Sequence, residues 1–256
     1  MIVTIIGSDN RQRELARLFN KTHDTIYLSG SEELSKVKGI LKISDYVVFP
    51  YPFTRDDKLI STTKYSISDI AGSLDTCKCI FLGEKKNFQF NTKVIDYSED
   101  ECFTEKNAFY TAESAVALTI INTQNSLKDL SVLILGNGRI GKSLAKILKP
   151  LCDDITVSAR KEKDFAYITK NGFKKINTNE IQSFNNYNII YNTIPSKVIT
   201  DDVIENADEG ITILDLAAKN SGLKKHKNHI DLKALPTKYA SKSSAAALYE
   251  YILNSF

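Results

Sequence analysis

Neither sign of charge prevails in this chain of 256 residues: 34 lysines and arginines stand against 31 aspartates and glutamates, a formal net charge of +3. So close a balance leaves no electrostatic footprint for nucleic acid or an anionic membrane surface. No apolar run approaches the roughly 18 residues that a membrane-spanning helix needs. The opening MIVTIIGSDNRQ has neither the basic leading segment nor the small-residue cleavage site of a secretory signal. Cysteine is sparse. Cys77, Cys79, Cys102 and Cys152 are scattered, and CKC, with one intervening residue and no second Cys/His pair, is poor spacing for zinc. The expectation is reduced thiols in a cytoplasmic protein. Histidine is scarcer still. His226 and His229 lie in KKHKNH, where lysine neighbours repel a cation, so a solvated turn is expected there and no metal site.

What the chain does have is a real core, with 42% hydrophobic residues, and a regular alternation of strand-like and helix-like stretches. VTIIG is read as a strand and DNRQRELARLFNK as a helix with Leu15, Leu18 and Phe19 on one face. TIYLSG, SDYVVFPYP, KCIFLGE and KVIDYSED are further strands, with SEELSKVKGILK helical or irregular between the first two. TEKNAFYTAESAVALTIINTQ is a long connecting helix, with Ala115, Leu118 and Ile121 close to helical spacing. A second series follows: SVLILG, DITVSAR, YNIIYNTI and GITILDLAA as strands, HIDLKAL as a short edge strand, and SKSSAAALYEYILNSF as a terminal helix opened by small N-cap residues. The predicted fold is therefore α/β, two Rossmann-like parallel-sheet domains joined by crossing helices. Residues 1–105 with 241–256 form a substrate or catalytic domain, 106–126 a linking helix, and 127–240 a dinucleotide-binding domain. Tyr46, Phe49, Tyr51 and Phe53 are taken as core.

SVLILGNGRIGKSLAKIL carries Gly136, Gly138 and Gly141 as G-x-G-x-x-G between a strand and an amphipathic helix. The first glycine makes the tight turn, the second lets backbone approach a pyrophosphate, and the third lets helix and strand pack closely. Asn137, Arg139 and Ile140 complete the loop, and unpaired N–H groups at the helix start attract phosphate charge. About twenty residues on, where an acid would hold the ribose 2′-hydroxyl of NAD, the chain reads ITVSARK. Ser158, Arg160 and Lys161 offer a hydroxyl and cations instead, which argues for NADP over NAD. Asn192, Thr193, Ile194 and Pro195 end a later strand, and Asp215, Leu216 and Ala217 end the next. Carboxyl strand ends face the ligand crevice in such sheets, and small residues there let a flat ring lie close.

These stretches in this order (GSDNRQ, the ESA-type helix, LGNGRIGKSLA, VSAR, NTIPS, LDLAA and LPTKYASKSSA) resemble the A subunits of dipicolinate synthases. That family is similar in fold to the formate/glycerate and D-2-hydroxyacid dehydrogenases. The resemblance implies an NADP-dependent oxidoreductase that converts 4-hydroxy-tetrahydrodipicolinate, a lysine-pathway intermediate, to dipicolinate during sporulation, together with a flavoprotein-like B subunit. A second copy of the chain is another candidate partner. The histidine–carboxylate pair of the hydroxyacid dehydrogenases has no counterpart here. The chain departs from the family at YPFTRDD and LPTKYASKSS, where substrate should sit. A two-carboxylate substrate needs cations in its site, and Arg11, just after the Gly7-Ser8-Asp9 turn, is the best placed; Arg55 and Lys242 are further candidates. Glu113, Lys219 and Ser243 are candidates for moving protons. Two rivals stand beside this reading: a non-catalytic NADP-binding regulatory subunit, and a stand-alone NADP(H) reductase of another small carboxylate.

Overall fold

The computed structural model describes residues 1–123, 125–217, 221–223 and 226–256. The chain divides into two compact units, Met1–Asn107 with Pro236–Phe256, and Ala108–Leu235. The first unit begins with β1 (Ile2–Ile6), α1 (Asn10–Phe19), β2 (Asp24–Leu28), α2 (Leu34–Ile43), β3 (Tyr46–Val48) and the short α3 (Ile67–Ile70). It continues through β4 (Cys79–Leu82) and β5 (Lys93–Asp96) into α4 (Glu101–Asn122). The five strands form one parallel sheet in the order β2-β1-β3-β4-β5. α1 starts at Asp9, whose side chain accepts from the Gln12 backbone N–H, and buries Arg11, Gln12, Leu15, Ala16 and Phe19 as one stripe. Leu18 of the predicted face is only half-buried.

The second unit contains β6 (Ser131–Leu135), α5 (Arg139–Leu148), β7 (Asp154–Ala159), α6 (Glu162–Lys170), β8 (Lys174–Asn177) and β9 (Ile189–Asn192). α7 (Asp201–Glu205), β10 (Thr212–Asp215) and β11 (His229–Asp231) follow, and α8 (Leu235–Tyr239) and α9 (Ser241–Leu253) end the chain. These six strands are all parallel, in the order β11-β10-β9-β6-β7-β8. Counted from β6, that order is the doubly wound dinucleotide-binding one, 3-2-1-4-5-6, and the first sheet has the flavodoxin-like 2-1-3-4-5 order. The parallel-sheet α/β class read from the sequence is thus the one found.

The three central strands β6, β9 and β10 each feed two cores. Val132 and Ile134 of β6 pack with Ile155, Val157, Tyr191 and Leu214, while Leu133 and Leu135 pack with Ile190 and Ile213 on the opposite face. The strand period of two makes this unavoidable once both faces are covered by helices, and it explains why VLIL, residues 132–135, is apolar throughout.

Three local expectations change. β8, too polar to be read as a strand, pairs with β7 from Thr156↔Lys174 to Ala159↔Asn177 at the sheet edge. Ile121 is 76% exposed although it shares a helical spacing with buried Ala115, because α4 is apolar on more than one face. α9 has Ala240 at its N-cap and no side-chain cap, so none of the predicted small cap residues caps it. The domain boundaries shift as well. α4 is divided between the two units instead of standing apart, and residues 236–240 join the first.

Candidate functional site

The glycine loop lies at the switch point of the second sheet, where β6 is flanked by β7 on one side and β9 on the other. Its three glycines answer to three different physical demands. Gly136 has φ +98°, and a Cβ there would meet Thr193 Oγ1 at 2.8 Å and Ile194 Cγ1 at 2.9 Å. Gly141, in the first turn of α5, would bring its Cβ within 2.1 Å of the Gly136 carbonyl oxygen. Gly138 meets neither constraint: an added Cβ would find no atom within 4 Å. Its φ of −78° and ψ of −171° suit any residue. The protein's own packing therefore does not require glycine at 138, and the open space beside it is what a pyrophosphate would fill. Gly138 is also the N-cap of α5, and no side chain caps that helix, so the positive end of a ten-residue helix is left for an anion.

Around this loop the side chains fall into two groups, one buried and one accessible. Ser158, Asn192 and Asp215 are buried, at 0%, 1% and 3% exposure. Ser158 Oγ accepts from the Gly136 backbone N–H at 3.2 Å and from the Thr178 hydroxyl at 3.0 Å. Asn192 Nδ2 donates to Asp215 Oδ1 at 2.9 Å, and Asp215 also accepts from the Ala217 N–H and from the Ser221 hydroxyl. Thr193 Oγ1 donates to the Leu135 carbonyl at 2.8 Å. These groups differ from the role their positions suggested. Ser158 is no open donor toward a ribose phosphate; it fastens the glycine loop to β7. Asn192 and Asp215 brace the carboxyl ends of β9 and β10 instead of presenting polar atoms at the surface.

The second group is accessible. Arg139, Arg160, Lys161 and Pro195 are exposed, and Asn137, Ile140, Thr193 and Ile194 are half-buried. Arg160 follows the last residue of β7, and Lys161 is the N-cap of α6. Leu216 and Ala217 are buried just beyond β10. Asn137 Nδ2 donates to Asp164 Oδ1 at 3.2 Å, which ties the loop to the first turn of α6. Asp164 and Thr178 were missed from the sequence, because only strand register and helix placement bring them beside the loop; Ser221 was missed because its hydroxyl turns back on Asp215. His229 is another correction. It is not in a solvated turn but on β11, its side chain 7% exposed, with Nε2 3.4 Å from Asp231 Oδ1. One ligand atom each from Asp215, His229 and Asp231 lie within 4.8 Å of one another. The carboxylate of Asp215 is already turned to three protein donors, so the group is read as bracing for the edge strand.

In the first unit, Arg11 is only 1% exposed. Its Nη2 donates to the Tyr51 carbonyl at 2.9 Å, its Nη1 reaches Ser244 Oγ at 3.5 Å, and its guanidinium lies 5.5 Å from the centre of the Tyr51 ring. Its Nε is buried without a hydrogen-bond partner. Arg11 thereby links α1, α9 and the stretch after β3, and it is not an open cation. Lys242 and Ser243 are exposed in the first turn of α9, and Arg55 is exposed after β3. Glu113 is exposed on the part of α4 that belongs to the second unit. Lys219 lies outside the described residues.

No protein-family model matches the chain. Over 243 residues it is 26% identical to the A subunit of dipicolinate synthase from Bacillus subtilis (strain 168), covering 86% of this chain and 82% of that one. The crystal structure of the corresponding A subunit from Bacillus halodurans superimposes with a TM-score of 0.80 at 20% identity, covering 99% and 96% of the two chains. The apo-structure of D-lactate dehydrogenase from Escherichia coli has the same fold at a TM-score of 0.64 and 11% identity, covering 99% and 96%. The resemblance to the A subunits of dipicolinate synthases read from the sequence is therefore borne out. Among the described residues, no helix is long and apolar enough to cross a membrane.

Proposed function

We propose that this chain is the dinucleotide-binding subunit of a dipicolinate-synthase-type oxidoreductase. It converts a cyclic dicarboxylate, 4-hydroxy-tetrahydrodipicolinate, to dipicolinate by loss of water and a two-electron oxidation, with NADP as the hydride acceptor. The observation that carries the proposal is the three-way division of labour in the glycine loop. Gly136 and Gly141 are demanded by the fold, whereas Gly138 leaves open space at an uncapped helix start. A fold-only turn has no use for that third feature; a pyrophosphate has.

The roles follow from position. The backbone of Gly138 and the start of α5 bind the pyrophosphate. Arg160 and Lys161, exposed at the end of β7, take the 2′-phosphate. Thr193, Ile194, Pro195, Leu216 and Ala217, at the carboxyl ends of β9 and β10, form the floor for the nicotinamide ring. The bound dinucleotide supplies a hydride acceptor. The second unit's own residues hold it in place; on the first unit, Lys242 and Arg55 are the exposed cations for the substrate's carboxylates, and Arg11, bonded to Ser244, steadies the helix that carries Lys242. Glu113, Lys219 and Ser243 are the candidates for proton transfer. A flavoprotein-like B subunit is the proposed partner.

The test is a fluorescence titration of NADPH and NADH into the purified chain, with and without dipicolinate. NADPH binding that dipicolinate tightens supports the reading. NADPH binding indifferent to dipicolinate moves the substrate site to a partner or to another acid. If neither dinucleotide binds, the oxidoreductase reading fails with it.

A further inference from the structure

The end of β7 lacks the acid that would hold a ribose hydroxyl, yet an acid stands beside the glycine loop. Asp164 lies in the first turn of α6, and its Oδ1 accepts from the side-chain amide of Asn137, the residue between the first two glycines of the motif. Asp164 is half-buried. That one hydrogen bond leaves the rest of its acceptor capacity unused, since Asn137 is the only side chain bonded to it among the described residues. On the same short stretch, Arg160 and Lys161 are exposed and form no ion pair among the described residues.

Resting on the dinucleotide site proposed above, we infer that Asp164 is the acid that reads the adenosine ribose of the cofactor. It is carried there by α6 rather than by the strand end, and Asn137 holds it in place. The chemistry follows from charge. The second glycine of G-x-G is where backbone approaches the pyrophosphate, and Asn137 is the residue just before it. A carboxylate tethered to that residue accepts from ribose hydroxyls, and it repels a 2′-phosphate that Arg160 and Lys161 attract. The site therefore carries opposed selectors, a carboxylate for NADH and two cations for NADPH. The wild-type chain should bind the two dinucleotides within about tenfold of each other, a narrower gap than a purely cationic pocket gives.

The experiment titrates NADPH and NADH into the wild type, Asp164→Asn and Asn137→Ala, with a thermal melt on each to confirm folding. Asp164→Asn keeps the shape and the hydrogen bond acceptor but removes the charge. NADPH should bind about five- to tenfold tighter and NADH several-fold weaker, so that the ratio moves by more than tenfold. Asn137→Ala should weaken NADH binding by releasing the carboxylate. If Asp164→Asn leaves both affinities unchanged, or lowers both equally, the carboxylate only secures the loop and the inference is overturned. If the wild type binds neither dinucleotide, the site itself is wrong, a failure that the wild-type titration alone separates from a failure of Asp164.

Discussion

At the scale of single residues, two glycines of the same loop make opposite predictions. A methyl group at Gly141 would sit 2.1 Å from the Gly136 carbonyl oxygen, backbone that cannot step aside without moving α5 off β6. Gly141→Ala should therefore destabilise the fold by about 2–4 kcal/mol and abolish dinucleotide binding. Gly138→Ala should leave the melting temperature close to the wild type, within about 0.5 kcal/mol of stability, because the added Cβ has no neighbour within 4 Å. It should nonetheless weaken NADPH binding at least tenfold by filling the approach to the pyrophosphate. A Gly138→Ala chain that binds as well as the wild type would mean that the ligand does not pass there. Arg160→Ala should weaken NADPH binding by roughly 1–3 kcal/mol, the usual worth of a charge-assisted contact, while NADH changes little. Equal losses for both would remove the 2′-phosphate assignment.

At the scale of elements, the loop between β2 and α2 shows how a single carboxylate can set a turn. Glu32 accepts from the Ser29, Gly30 and Ser31 backbone N–H groups and from the Ser29 and Tyr65 hydroxyls. Burial pushes the Glu32 carboxyl up, but the hydrogen bonds from Tyr65 and the turn outweigh it and hold the group at about 2, against an ordinary value of 4.5. Burial, together with the same contact, pushes the Tyr65 phenol up. A carboxyl depressed in the folded state contributes stability fully above its unfolded value, and that stability is lost as pH falls toward the folded value. The loss should thus appear between about pH 4.5 and pH 2. Glu32→Gln should cost about 2 kcal/mol at neutral pH and flatten that acid limb. Urea melts of both proteins at several pH values decide it: an unchanged acid limb in the variant would show that the clamp contributes nothing.

At the scale of the whole molecule, each unit carries its own buried cluster. Ile6, Val47, Phe49, Phe53, Ile80 and Leu82 belong to the first, and Val132, Ile134, Leu144, Val157 and Tyr191 to the second. Separate cores predict separable unfolding. NADPH at about a hundred times its Kd should raise one denaturant transition by about 2.7 kcal/mol, and Glu32→Gln should lower the other. A single transition moved by both would show that the units unfold together.

The sequence by itself determined the class of fold and the position of the glycine loop. Apolar runs such as VLIL and CIFL record strands buried on both faces, and the three glycines mark the turn, because these depend on local backbone geometry and on side chains near in sequence. β8 was illegible, since KKIN gains its place from pairing with β7 at an edge where polar side chains are tolerated. The roles of polar residues were decided only by tertiary structure. Ser158 reads as a donor for the ligand, but register sets it opposite Leu135, where the Gly136 N–H and Thr178 claim its hydroxyl. Arg11 reads as an open cation, but the packing of α1 against α9 buries it against Tyr51 and Ser244. Asp164 carries no signal in the sequence, because a contact between a loop and a helix 27 residues on exists only once both have packed on the same sheet. Which polar atom meets a ligand, and which is already bonded to the protein, is a question of distance in space, and periodicity along the chain carries no record of it.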